Sequence, residues 1–159
     1  MRKTIVSLCL LVGMSVVALQ AQTEISTNAL IELIRSDVRT QKVAIIGQAM
    51  NFAEGQDEKF WPIYKEYDAE LVKLGDSYVA ILKDYAKNYE SMTEEKAAQL
   101  TQATLNIHQK RLDLKTKYHK RLAIEMSPIV AARFLQIDNQ LGIIIDLQIA
   151  SEVPLIKKP

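Results

Sequence analysis

The sequence has few residues that interrupt or cross-link a polypeptide. It contains one cysteine, five glycines and four prolines in 159 residues. The single cysteine, Cys9, lies in an apolar run near the N-terminus. The rest of the chain can therefore form no disulfide, no thiolate nucleophile and no cysteine-based metal site. So few chain breakers favour long helices over strands and turns, which predicts an all-α fold.

The chain also has no large excess of positive or negative charge, and it lacks familiar catalytic motifs. The 20 basic residues nearly balance the 19 acidic ones, so we expect no nucleic-acid partner. There is no glycine-rich phosphate loop, no Gly-x-Ser-x-Gly elbow and no His-Glu-x-x-His motif. We therefore expect a protein that is not an enzyme and binds no cofactor.

The two histidines do not predict a metal site. His108 and His119 are separated by about three helical turns, or roughly 16 Å, on a helix that rises about 1.5 Å per residue. A single zinc ion cannot bridge that distance, because Zn–N bonds are about 2.1 Å long. The sequence thus gives little support to a metal-responsive sensor, which is the weakest of the candidate functions.

The N-terminus has the layout of a secretory signal peptide. Arg2 and Lys3 precede an apolar run from Thr4 to Leu19, and the small residues Ala18 and Ala21 follow. The run of about 16 residues is shorter than the roughly 20 that a membrane-spanning helix needs. We predict a signal peptide over residues 1–21, cleaved near Ala21 or after Ala18, and a single helical domain over residues 22–159.

Apolar periodicity and helix-start signals divide this domain into four predicted helices. Thr93 and Ser127-Pro128 are helix-start signals, and the short connections predict antiparallel neighbours. The expected architecture is a bundle or cradle of about four helices with a long antiparallel hairpin. The predicted helices cover Thr27–Met50, Gln56–Glu90, Thr93–Met126 and Pro128–Ser151.

The second predicted helix has the clearest pattern. Its apolar residues are spaced alternately by four and three, which is the a/d seam of a helix packed against a neighbour. A strand cannot place such residues on one face, because its faces repeat every two residues. The seam consists of Phe60, Tyr64, Tyr67, Leu71, Leu74, Tyr78, Ile81 and Tyr85.

Two breaks between the predicted helices resemble each other. The segments Phe52–Gln56 and Met92–Lys96 are similar to the repeated Leu-Thr-x-x-Gln signature of the Spy/CpxP-like family. The first copy keeps the glutamine but has Ala53 in place of threonine, whereas the second keeps Thr93 but has Lys96 in place of glutamine. The resemblance implies a periplasmic cradle of long helices, often paired as antiparallel dimers, that holds unfolded clients or a stress-sensor domain without ATP.

From this resemblance and from the placement of the aromatic and basic residues, we predict an ATP-independent periplasmic chaperone or envelope-stress accessory protein that forms a homodimer. The alternative is a non-enzymatic dimeric adaptor for one envelope partner. The predicted client-binding face consists of Trp61, Tyr64, Tyr67 and Phe134, with Lys110, Arg111, Lys115 and Lys117 on its rim.

The basic stretch His108–Arg121 is most simply a solvated face with favourable charge near a helix C-terminus, and the alternative is a positive patch that attracts acidic clients or anionic headgroups. The stretch contains six basic residues, and the second predicted helix carries several acidic ones that an antiparallel neighbour or a dimer mate would bring close to it. Those acidic residues are Asp57, Glu58, Glu66, Asp68 and Glu70.

Overall fold

The structure, a computed structural model, describes residues 37–157, with side chains from residue 41 onward. This part of the chain contains four α-helices and no strand, which confirms the predicted all-α fold. The predicted signal peptide and the predicted helix start at Thr27 lie outside the described residues. The helices are α1 (Asp37–Met50), α2 (Gln56–Asn88), α3 (Glu94–Glu125) and α4 (Pro128–Glu152), and a 3₁₀ turn (Tyr89–Ser91) follows α2.

The helices begin where local hydrogen bonds satisfy their first N–H groups. The Thr93 hydroxyl accepts from the Lys96 N–H at 3.1 Å, and the Ser127 hydroxyl accepts from the Val130 N–H at 3.2 Å. At the first break the Gln56 side chain accepts from the Ala53 N–H at 3.0 Å. Each of the two similar segments thus makes the hydrogen bond that its own residues allow, threonine in one and glutamine in the other.

Gly55 decides where α2 starts. Its φ of 74° lies in the left-handed region that glycine enters without strain, so the chain turns there before Gln56 opens the helix. Pro62 is then the seventh residue of α2, inside the helix and past its first turn. Its missing N–H removes one backbone hydrogen bond, and α2 continues through this point.

Sequential helices run antiparallel. Helix α3 packs against both α2 and α4, and α1 packs against α4. The register of α1 on α4 follows from two contacts: Arg133 donates to the Ala49 carbonyl at 2.8 Å, and Lys42 pairs with Asp138 at 3.3 Å. None of the helices within residues 37–157 is both long and apolar enough to cross a bilayer.

The core consists of a large cluster and a small one. The large cluster joins all four helices and is rich in aromatic residues, whereas the small one joins the later part of α2 to the end of α4. The buried members of the small cluster are Leu82 and Ile149, with Tyr78, Ile145 and Val153 half-buried beside them.

The predicted seam of α2 is buried only over its first half. Phe60, Tyr64 and Tyr67 are buried, but Tyr78 and Tyr85 are half-exposed, and Leu82 is buried in their place. A strict seven-residue repeat drifts about 20° per heptad around a straight helix, so its later members turn away from the core.

Replacing the cap of α3 should lower the stability of the bundle. The Thr93→Ala variant loses the hydroxyl that accepts from Lys96, and we expect its free energy of unfolding to fall by about 1 kcal/mol. Urea unfolding followed by circular dichroism measures this. Thr101→Ala, an exposed position inside α3, is the control and should not be destabilised. Equal losses in both variants would contradict the capping role.

Candidate functional site

The predicted aromatic face is largely inside the bundle. Tyr64, Tyr67 and Phe134 are buried, and the Phe134 ring centroid lies 5.5 Å from that of Tyr67 in an edge-to-face arrangement. Trp61 is half-buried against α1, where a Cβ added to Gly47 would come within 3.4 Å of the indole. These rings therefore do not form an exposed face, because each buries a large apolar area between helices. A client could reach the buried rings only by displacing a helix, so we place the candidate binding surface elsewhere.

The predicted basic rim mainly joins the helices to one another. Arg111 pairs with Asp146 of α4 at 3.2 Å, and Lys117 pairs with Glu70 of α2 at 2.7 Å. Lys115 also turns toward α4 and forms an ion pair there, whereas Lys110 is exposed. Three of these four cations are thus engaged within the chain.

Two of the acidic residues expected to face the basic stretch do so. Glu66 accepts two hydrogen bonds from Arg121, the shorter at 2.6 Å, and Glu70 accepts from Lys117 and from the Tyr118 hydroxyl. These hydrogen bonds hold the pKa of both glutamate side chains below their usual range. The pairs are solvent-exposed and orient α3 on α2 more than they stabilise the fold.

The buried environment of one carboxylate, that of Asp138, was not predicted from the sequence. Asp138 of α4 is only 4% exposed, and it contacts a residue from each of the other three helices. Lys42 of α1 lies at 3.3 Å and Lys115 of α3 at 3.1 Å, while the Tyr67 hydroxyl of α2 donates to it at 2.9 Å. Lys42 also lies 5.6 Å from the Tyr67 ring centroid, which adds a cation–π contact.

The surroundings of Asp138 keep it ionised. Burial by itself would raise its pKa, but the charges of Lys42 and Lys115 and the hydrogen bond from Tyr67 outweigh burial, so the pKa lies below its ordinary value. Burial and the neighbouring carboxylate raise the pKa of Tyr67, which therefore stays protonated and donates. A sequence signal for this site did exist: Asp138 shares a helix face with Phe134 and Leu141, so an acidic residue interrupts an apolar stripe.

A half-open apolar groove lies over the small core cluster, at the end of the bundle where α4 finishes. Its volume is about 470 Å³, within the range of ligand-binding clefts. Leu82 and Ile149 are its buried floor, and Ala150 of α4 is exposed on its wall. The C-terminal segment Pro154–Ile156 lines another side. We take this groove as the candidate functional site.

The polar groups of the groove are few. The Tyr78 ring lies 6.1 Å from the His108 imidazole, centroid to centroid, and Asp146 completes this end. Burial, and then the negative charge of Asp146, raise the pKa of the Tyr78 hydroxyl, so this group can donate a hydrogen bond at neutral pH. An apolar floor with a small number of polar groups at one end suits an apolar polypeptide segment.

Within residues 37–157 no three histidine, cysteine, aspartate or glutamate side chains lie close enough together to hold a metal ion. Comparisons of the chain with protein-family models, with curated proteins and with solved structures give no match. The geometry of the groove and the resemblance of the two helix-start segments are therefore the basis for a functional proposal.

The Tyr67 hydroxyl donates a hydrogen bond to Asp138, and removing this hydroxyl should lower the stability of the bundle in a pH-dependent way. We expect Tyr67→Phe to lose about 1.5–3 kcal/mol of unfolding free energy at pH 7, the usual value of a hydrogen bond to a charged group. The pKa of Asp138 is lower in the folded state than in the unfolded chain, where it is about 3.9. The ionised carboxylate therefore stabilises the folded state fully above that unfolded pKa, and this stabilisation is lost as the pH falls through the folded pKa. The difference between variant and wild type should therefore shrink below about pH 4.

Tyr118→Phe is the matched control for this experiment. Its ring is equally buried, but its hydroxyl donates to the half-exposed Glu70, so the loss at pH 7 should be smaller. Urea unfolding at several pH values measures both variants. A loss for Tyr67→Phe that is independent of pH would show that the hydrogen bond to the ionised Asp138 does not account for the change.

Proposed function

We propose that this protein is a periplasmic, ATP-independent chaperone or envelope-stress accessory protein that binds exposed apolar segments of other envelope proteins. The observation that carries the proposal is the half-open groove with an apolar floor at the end of the bundle. Because its floor, Leu82 and Ile149, belongs to a cluster separate from the main core, a guest can cover the groove without disturbing the aromatic packing.

Two features of the sequence support this proposal. The two Leu-Thr-x-x-Gln-like segments resemble those of the Spy/CpxP-like family, which implies client binding without ATP. The apolar N-terminal run, with small residues at its end, predicts export from the cytoplasm. Clients in the envelope expose apolar segments before they fold, and burial of that apolar surface is the driving force for binding.

A charge placed in the groove should weaken client protection. We expect the wild-type protein to suppress the aggregation of chemically unfolded malate dehydrogenase without ATP, as measured by light scattering. Ala150→Lys puts an ammonium group on the wall of the apolar groove, where an apolar segment would have to desolvate it. We expect at least half of the protection to be lost.

Ala98→Lys is the matched control. Ala98 is exposed on α3 and does not line the groove, and both positions follow an acidic residue by four positions, so the new lysines have similar local charge. The control should protect as well as wild type. The proposal is wrong if wild type gives no protection, and the groove is the wrong site if both variants lose protection equally.

We also propose that the protein is a homodimer, paired through the outer side of α4. A stripe of exposed, uncharged residues on α4 is spaced by 3, 4, 4, 4 and 3 residues, so it reads the same in both directions. In an antiparallel pair of identical helices, large side chains meet at the ends, alanine faces isoleucine, and two glutamines face each other. The pairs are Ile129 with Leu147, Ala132 with Ile144, and Gln136 with Gln140.

Breaking this stripe should separate the copies. Leu147 is exposed, so Leu147→Glu should not unfold the chain. In the dimer, however, the new glutamate of each copy would lie against an apolar side chain of the other copy, once at each end of the helix pair. We expect wild type to sediment as a dimer and Leu147→Glu as a monomer at about 50 µM, a concentration well above the Kd of a stable interface. Leu112→Glu, at a leucine of α3 that is also more than half exposed, is the control and should leave the dimer intact. A wild-type monomer would contradict this part of the proposal.

A further inference from the structure

The C-terminal segment beside the groove is held by polar contacts at its two ends. At one end the Tyr85 hydroxyl donates to the Pro154 carbonyl at 2.7 Å. At the other, the Lys157 ammonium pairs with the Glu90 carboxylate and lies 5.1 Å from the centroid of the Tyr89 ring. The segment Pro154–Lys157 has no regular secondary structure, and its anchored carbonyl and its cation lie three residues apart along the chain.

The apolar residues between these two anchors are poorly buried. Leu155 is 89% exposed and Ile156 is 46% exposed, although both line the groove. The ion pair of Lys157 with Glu90 is exposed and screened by salt, so it contributes little to stability. A segment that buries little apolar surface and depends on such contacts can be displaced by another segment that fills the groove better.

We infer that the surface beside the groove, formed by Tyr85, Tyr89 and Glu90, is a docking site for a short aliphatic segment followed by a basic residue, and that the chain's own residues 154–157 occupy this surface as a built-in competitor. The inference rests on the proposed function and names the kind of client segment that this same groove takes. The hydroxyl of Tyr85 recognises a backbone carbonyl, and the aliphatic side chains of a better-fitting guest cover the groove floor that Leu155 leaves uncovered. The carboxylate of Glu90 and the ring of Tyr89 recognise the cation.

Charge complementarity selects this occupant over a neutral or acidic segment. Glu90 is exposed, and the Lys157 ammonium that pairs with its carboxylate also lies over the Tyr89 ring, so carboxylate and ring together attract a lysine or arginine side chain. An acidic residue at the same place would be repelled. The sign of the charge at the end of the segment should therefore decide whether it binds.

The test uses the full-length protein and a labelled peptide of sequence VPLIKKP, which corresponds to residues 153–159. Lys157→Glu removes the cation that holds the chain's own segment, and so exposes the site. We expect this variant to bind the peptide about threefold more tightly than wild type in fluorescence anisotropy, because an exposed ion pair contributes little and its loss only partly frees the site from the competing intramolecular segment. Lys120→Glu, which changes an exposed lysine of α3, is the control and should bind like wild type.

A reversal of the site's charge tests the chemistry directly. Glu90→Lys should lose the VPLIKKP peptide and should bind the peptide VPLIEEP, which has glutamate in place of both lysines. The inference is overturned if Lys157→Glu does not bind VPLIKKP, or if Glu90→Lys binds both peptides equally. A wild-type dimer that the peptide dissociates would also overturn it, because the segment would then occupy the groove of a second copy.

The outcomes for the docking site and for the proposed function can be told apart. Suppression of aggregation by wild type without peptide binding would leave the proposed function standing and remove the docking site. Peptide binding to Lys157→Glu without any suppression of aggregation would support the docking site and contradict the chaperone function.

Discussion

The buried carboxylate of Asp138 is the contact on which the arrangement of the four helices depends. It lies on α4 and meets Lys42 of α1, Tyr67 of α2 and Lys115 of α3 within 3.3 Å. Apolar packing has no direction, so it would tolerate helices that slide along one another. A desolvated charge is costly unless its partners are in place, so we infer that this network sets the register of the bundle.

Around this network the main core and the candidate binding groove belong to separate clusters. The aromatic residues near Asp138 pack against one another and are buried, whereas the small cluster of Leu82 and Ile149 supports an open groove. Under the proposed function, a guest covers this end while the main core stays closed. Tyr64, Tyr67 and Phe134, which look suited to binding in the sequence, are used for packing, whereas the groove is lined mainly by aliphatic residues with Tyr78 and Tyr85 among them.

Much of the local structure could be predicted because its causes are local. The start of α3 depends on Thr93 and the start of α4 on Ser127 and Pro128, and each lies within four residues of the groups it satisfies. The pairing of Glu66 with Arg121 could also be anticipated from charge and antiparallel connection. The groove could not, because Tyr85 and Pro154 are 69 residues apart and meet only when α4 ends beside α2.

The all-α class, most helix ends and the antiparallel order follow from the amino-acid sequence, because hydrophobic periodicity, capping and short connections act over a few residues. Which faces became buried depended on the packing of the helices in three dimensions. This packing placed Tyr64, Tyr67 and Phe134 inside, turned Tyr78 and Tyr85 toward the groove, and buried the charges of Lys42 and Asp138 together. Periodicity shows that residues share a face, but only the positions of the neighbouring helices determine whether that face meets protein or water.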